Sequence, residues 1–170
     1  MTGRTPAKLL ALAAHWNQQS LWRRLAPAGR RRRQPPYASK VVEVEYGHGP
    51  RQARVSEDEV DELLDRIADE ARRDGRPQDV QVTVESAGTL GIVVGADWSM
   101  LNHTAANLDP PYMVSVGDDQ SKEPVVFYVA GHHYSETLRR NTIRPEAARA
   151  AMRHFVATGE LSPDVAWDEV

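Results

Sequence analysis

No cysteine occurs anywhere in the chain. Disulfides, thiolate nucleophiles and cysteine-based zinc or iron–sulfur sites are therefore all excluded. With no disulfide framework calling for an oxidising compartment, the expected location is the cytoplasm. Long apolar runs are missing too. Leu9–Ala14 is only six residues, far below the roughly 20 that span a bilayer, and with so short a core and no convincing small-x-small cleavage site before a mature start, a signal peptide is not expected. Lysine is nearly absent: 18 of the 21 basic residues are arginine, and the lysines are Lys8, Lys40 and Lys122.

Acidic residues are absent from one part of the chain only. Residues 1–40 hold nine basic side chains and no carboxylate, which leaves residues 41–170 with 12 basic against all 24 acidic residues, a net of −12. The first segment reads as a basic extension, and Gly29-Arg30-Arg31-Arg32-Arg33-Gln34-Pro35-Pro36 cannot bury surface. It fits either a solvated tail or a nucleic-acid-binding or regulatory arm, and the lack of aromatics within the arginine run weakens the second reading. The acidic body disfavours nucleic acid and anionic membrane and favours a basic partner through long-range steering. At 170 residues the chain suits one domain, residues 41–170, with the extension appended.

Hydrophobic periodicity gives the elements of that body. Val42, Val44 and Tyr46 alternate with polar residues as in a half-buried strand, and Gly47-His48-Gly49-Pro50 ends it. Ser56 and Glu59 have the spacing of a capping box. The following helix carries its stripe on Val60, Leu63, Leu64, Ile67, Ala68 and Ala71, and Gly75-Arg76-Pro77 stops it. Val80–Val84 and Leu90–Val94 read as a hairpin, and Gly95–Leu101 and Tyr112–Val116 as two further strands around a loop at 102–111. Val125–Val129, uncharged and rich in β-branched and aromatic residues, predicts a central strand covered on both faces. His132–Asn141 is expected to be a polar turn region. A second helix begins at Pro145, with a stripe of Ala148, Ala151, Met152, Phe155 and Val156 and a stop at Gly159. Val165–Trp167 supplies a short closing strand. Together these predict an α+β fold, with two main helices against a largely antiparallel sheet of about five to six of these strands.

Catalytic signatures are missing. There is no Gly-x-Ser-x-Gly elbow, no His-Glu-x-x-His and no deaminase-type zinc signature. Gly88, Gly91 and Gly95 lack the Lys-Ser/Thr of a phosphate loop. His132 and Glu136, four apart, lie in a turn or edge strand where that spacing does not share a helix face, so no metal site is expected. The adjacent acids Asp118 and Asp119 suit a solvated turn better than acid/base chemistry. A binding protein with no enzymatic activity and no cofactor is the expectation.

The C-terminal block sharpens it. Pro124–Val129, Thr142-Ile-Arg-Pro-Glu146, Ala151-Met-Arg-His-Phe155 with Thr158-Gly159-Glu160, and the ending Val165–Val170 resemble the immunity-protein family of bacterial polymorphic-toxin systems, whose members are paired mainly with deaminase-type toxins. Gly95-x-Asp97 followed by Leu101, and Tyr112–Asp118, fit the same order. The resemblance spans about residues 41–170 and departs from the family at His132–Arg140. It implies an α+β protein that binds a cognate toxin domain, probed by candidate contact residues Asp97, Trp98, Asp118, Asp119, His133, Tyr134 and Glu136. For Trp98 and Tyr134, core packing is the alternative.

Overall fold

The computed structural model describes residues 41–47 and 51–170, and the expectations for residues 1–40 lie outside these. In chain order the elements are β1 (Val41–Tyr46), β2 (Arg51–Ser56), a 3-10 turn (Glu57–Glu59), α1 (Val60–Asp74), β3 (Gln78–Val84), β4 (Gly88–Val94), β5 (Leu101–Ala105), β6 (Met113–Val116), β7 (Pro124–Val129), β8 (His133–Leu138), a second 3-10 turn (Arg139–Asn141), α2 (Pro145–Thr158) and β9 (Ala166–Glu169). The strands form one sheet in the order β2-β1-β3-β4-β5-β6-β9, with β7 beside the start of β3 and β8 beside β7. All pairings are antiparallel except the single parallel step between Gln78 and Tyr128. The fold is α+β, as the helix and strand periodicities predict.

Both helices start and stop for the reasons visible in their sequences. The Glu59 carboxylate accepts from the Ser56 N–H (2.8 Å) and hydroxyl (2.7 Å), and these two bonds hold its carboxyl below the usual range. Gly75 and Gly159 end the two helices with φ of 63° and 80°, values that cost other residues a steric clash. Every residue of both apolar stripes is buried. They close over Val42, Val44, Val80, Val82, Val84, Leu90, Ile92 and Leu101 from the sheet to make the main core. On the outside, Arg149 and Arg153 of α2 reach Asp65 and Asp61 of α1, each at 2.9 Å, tying the helices side by side.

Among the described residues the sheet has nine strands, more than the five to six expected. β2 escaped notice because it is a polar edge strand, where only Ala53 and Val55 pack towards the core. β8 escaped because the side chains it buries, Ser135 and Thr137, are small and polar. The expected strand at 95–101 is instead a bend followed by β5, which starts at Leu101 and takes up residues 102–105 of the expected loop. Gly95 turns the chain there with φ 94°, close against Ala71, and the Ser99 hydroxyl donates to the Val93 carbonyl at 2.6 Å to fasten the bend. The expectation that Val125–Val129 is central is also corrected. β7 buries only Val125, Phe127 and Val129, pairs with β8 along its length and meets β3 at one residue. Its uncharged outer residues, Val126 and Tyr128, face a half-exposed surface and not a second layer. The strands flanked on both sides and almost wholly buried are β3, between β1 and β4, and β4, paired with β3 along its length and with β5 over Gly88–Ile92.

The face of the sheet turned away from the helices is polar. The register carries one row across Glu45, Gln81, Gly91 and Asn102 and another across Glu43, Thr83, Thr89 and Thr104. Gln81 and Asn102 close over Gly91, where a Cβ would collide with both, and both donate to the Asp79 carboxylate. Asp79 is only 3% exposed.

Candidate functional site

The pairing register gathers the candidate contact residues at one end of the sheet, where β3 begins and β4 finishes. The β4–β5 bend and the β6–β7 link both emerge there, and the β7–β8 ladder runs outward from the level of Gln78. Asp97 is exposed in the bend and Trp98 is half-buried. Asp97 borders a groove with Arg72 from α1 and Arg144, Pro145 and Glu146 at the start of α2. Trp98 sits deeper, against a lining that includes Ala68 and Ile92. The packing alternative thus holds in part for Trp98.

Asp118 and Asp119 are exposed just beyond β6. Asp119 accepts from the Ser121 N–H at 2.8 Å, a turn-closing bond, and the Gly117 N–H donates to the Arg140 carbonyl at 2.7 Å. The link is therefore pinned at both sides while its carboxylates face water.

Tyr134 and Glu136 stand on one face of β8 and touch each other. The Tyr134 hydroxyl donates to Glu136 Oε1 at 2.8 Å, and that bond, more than burial or charge, holds the phenol above its usual pKa. The Tyr134 ring meets Tyr128 edge to face at 6.4 Å, and the Arg76 guanidinium lies 5.5 Å from the Tyr128 ring centre. Tyr134 is nonetheless 59% exposed, so core packing does not account for it. His133 points to the opposite side by strand alternation, with its ring stacked on His132 at 4.0 Å.

Sequence reasoning missed the supports of this surface. Arg76 reads as part of a helix stop and Tyr128 as core; only the strand pairing of Tyr128 with Tyr134 makes them a buttress. It also missed the charge balance. The exposed carboxylates of this end are interspersed with Arg72, Arg76, Arg140 and Arg144, whereas Glu57 and Asp58 of the first 3-10 turn and Glu62 and Asp65 of α1 are exposed together. Among the described residues no group of three or more His, Asp or Glu side chains is arranged to hold a metal ion, and no helix is long and apolar enough to cross a membrane.

The arrangement offers an exposed aromatic in a fixed posture, bonded to a carboxylate, and two flanking turns with exposed carboxylates, which is contact chemistry. Compared with known families, the chain matches the model described as Immunity protein Imm1 over residues 47–169, well over half its length. No curated protein matches it.

Proposed function

The chain belongs to the Imm1 family of immunity proteins, and from that premise we propose that it neutralises a nucleic-acid-targeting toxin, a deaminase-type domain of a polymorphic-toxin system, by covering its active site or substrate groove. Membership carries a toxin-neutralising function with a cognate toxin as partner, in a family that is generally non-enzymatic. The finer reading rests on the surface at the start of β3. Tyr134, exposed yet propped by Tyr128 and bonded to Glu136, is an anchor whose posture is set before binding, which lowers the ordering cost of association. Asp97, Trp98, Asp118, Asp119 and His133 complete the proposed contact surface around it.

Charge supports the choice of partner. A toxin acting on nucleic acid presents a basic groove, and carboxylates can take the places its phosphates would use. The net charge of −12 over residues 41–170 steers such a toxin in, while rim carboxylates act mainly on the association rate. The encounter would take place in the cytoplasm of the producing cell, before toxin export.

Co-expression of the full chain with the toxin domain encoded beside its gene tests this. Survival of the cells and co-purification of a complex are expected, with loss of base conversion in the toxin's nucleic-acid target. Undiminished toxicity beside a folded chain would contradict the pairing. A neutralised toxin that converts no bases would leave immunity standing and remove the deaminase assignment.

A further inference from the structure

The β7–β8 ladder exposes main-chain groups as well as side chains. The Tyr128 N–H donates to the Pro77 carbonyl at 2.8 Å, on the side of β7 that faces β3. In an antiparallel ladder, a residue whose main-chain groups point away from the partner strand belongs to a non-hydrogen-bonded pair. Tyr128 is paired with Tyr134 and Val126 with Glu136. The N–H and C=O groups of Tyr134 and Glu136 therefore point away from β7, off the edge of the sheet. β8 pairs with β7 alone, and neither residue finds another main-chain partner among the described residues.

Unpaired edges are normally guarded. The outer strand β2 carries Arg51 and Arg54, and β9 is only four residues long and ends in Asp168-Glu169. β8 has six residues with no proline, lysine or arginine. Of the three β8 residues whose main-chain groups point outward by this alternation, Tyr134, Glu136 and Leu138, the first two carry side chains that stand exposed and joined on one face. An added strand would thus find main-chain partners for affinity and, with opposed Cβ atoms about 4.5–5.5 Å apart, the Tyr134 ring and Glu136 carboxylate for specificity.

We propose that β8 is a docking edge for an extended segment of the cognate toxin, which joins the sheet as a strand through the main chain of Tyr134 and Glu136 and sets a basic side chain against Glu136. This rests on the toxin-binding reading above and adds the mode of contact. The segment is identified by its chemistry: an edge strand of its own domain, with a lysine or arginine flanked by residues able to lie on Tyr134.

Amide hydrogen exchange on the full chain, alone and with the toxin domain encoded beside its gene, reads the edge directly. The Tyr134 and Glu136 amides should exchange freely in the chain alone and slow by at least about 100-fold in the complex. A neutralising complex in which both stay fast overturns the edge and leaves toxin binding intact. Protection in the chain alone, accompanied by a dimer, assigns the edge to a second copy and also overturns the proposal. If no complex forms with a folded chain, the toxin-binding reading and the edge fall together. Two variants separate main chain from side chain. Glu136→Pro removes the outward N–H without removing a bond to β7, whereas Glu136→Ala keeps that N–H. With both folded, the proline variant should bind about tenfold more weakly than the alanine variant; equal affinity overturns the proposal.

Discussion

The helix-covered face of the sheet and the β7–β8 hairpin are built on opposite terms. On the first, two apolar stripes close over valines and leucines, and nearly every side chain in contact is fully buried. On the second, one face buries Val125, Phe127 and Val129 with Ser135 and Thr137, and the other presents Tyr128, Tyr134 and Glu136 to a half-exposed surface. The difference separates what holds the fold from what meets a partner. Stability should therefore respond to substitutions under the helices, and binding to substitutions on the hairpin.

The largest expected effect lies under α2. Phe155 is fully buried and meets His103 edge to face at 5.6 Å. Phe155→Ala should cost about 3–5 kcal/mol in denaturant unfolding. A loss below about 1 kcal/mol would mean the helix face is not the main source of stability.

A somewhat smaller effect should appear on the polar face of the sheet. Burial pushes the Asp79 carboxyl up from 3.8 to about 6, against the opposing hydrogen bonds from Gln81 and Asn102. The folded state then keeps a proton that the unfolded state gives up near pH 4. This contribution to stability is full below about pH 4 and is lost as pH rises through about 6, a change of roughly 3 kcal/mol. Asp79→Asn should flatten that dependence and raise stability at pH 8 by roughly 1–3 kcal/mol. Parallel pH profiles of the two proteins between pH 4 and 7 would show that Asp79 does not titrate in this way.

The same contrast explains what could be read from the sequence. Val60, Leu63, Leu64, Ile67, Ala68 and Ala71, and the five stripe residues of α2, are legible because burial under a helix selects apolar side chains at a fixed period. The ends were legible for an equally local reason, the capping pair Ser56–Glu59 and the two left-handed glycines. β8 was not, because it buries serine and threonine and exposes tyrosine, which inverts the usual pattern. The bend at Gly95 was hidden because its cause is the approach of Ala71 from a helix some 20 residues earlier in the chain. Asp79 and Gln81 look like the solvent face of a strand, and only the register across Gly91 to Asn102 shows that they are covered. Tyr134 and Glu136 could be named from their types and from their place beyond Val125–Val129, in a segment where the chain departs from the family it resembles. Their shared face, their buttress and their outward main chain depend on a pairing that no local pattern encodes.

The smallest expected change in stability belongs to the residue expected to matter most for binding. Tyr134→Ala on the full chain, followed by unfolding and by calorimetric titration with the toxin domain, tests the division of labour most directly. The account predicts a stability change within about 0.5 kcal/mol and an affinity lowered by at least about 30-fold. Unchanged affinity in a folded variant would contradict it, and would move the interface away from the hairpin.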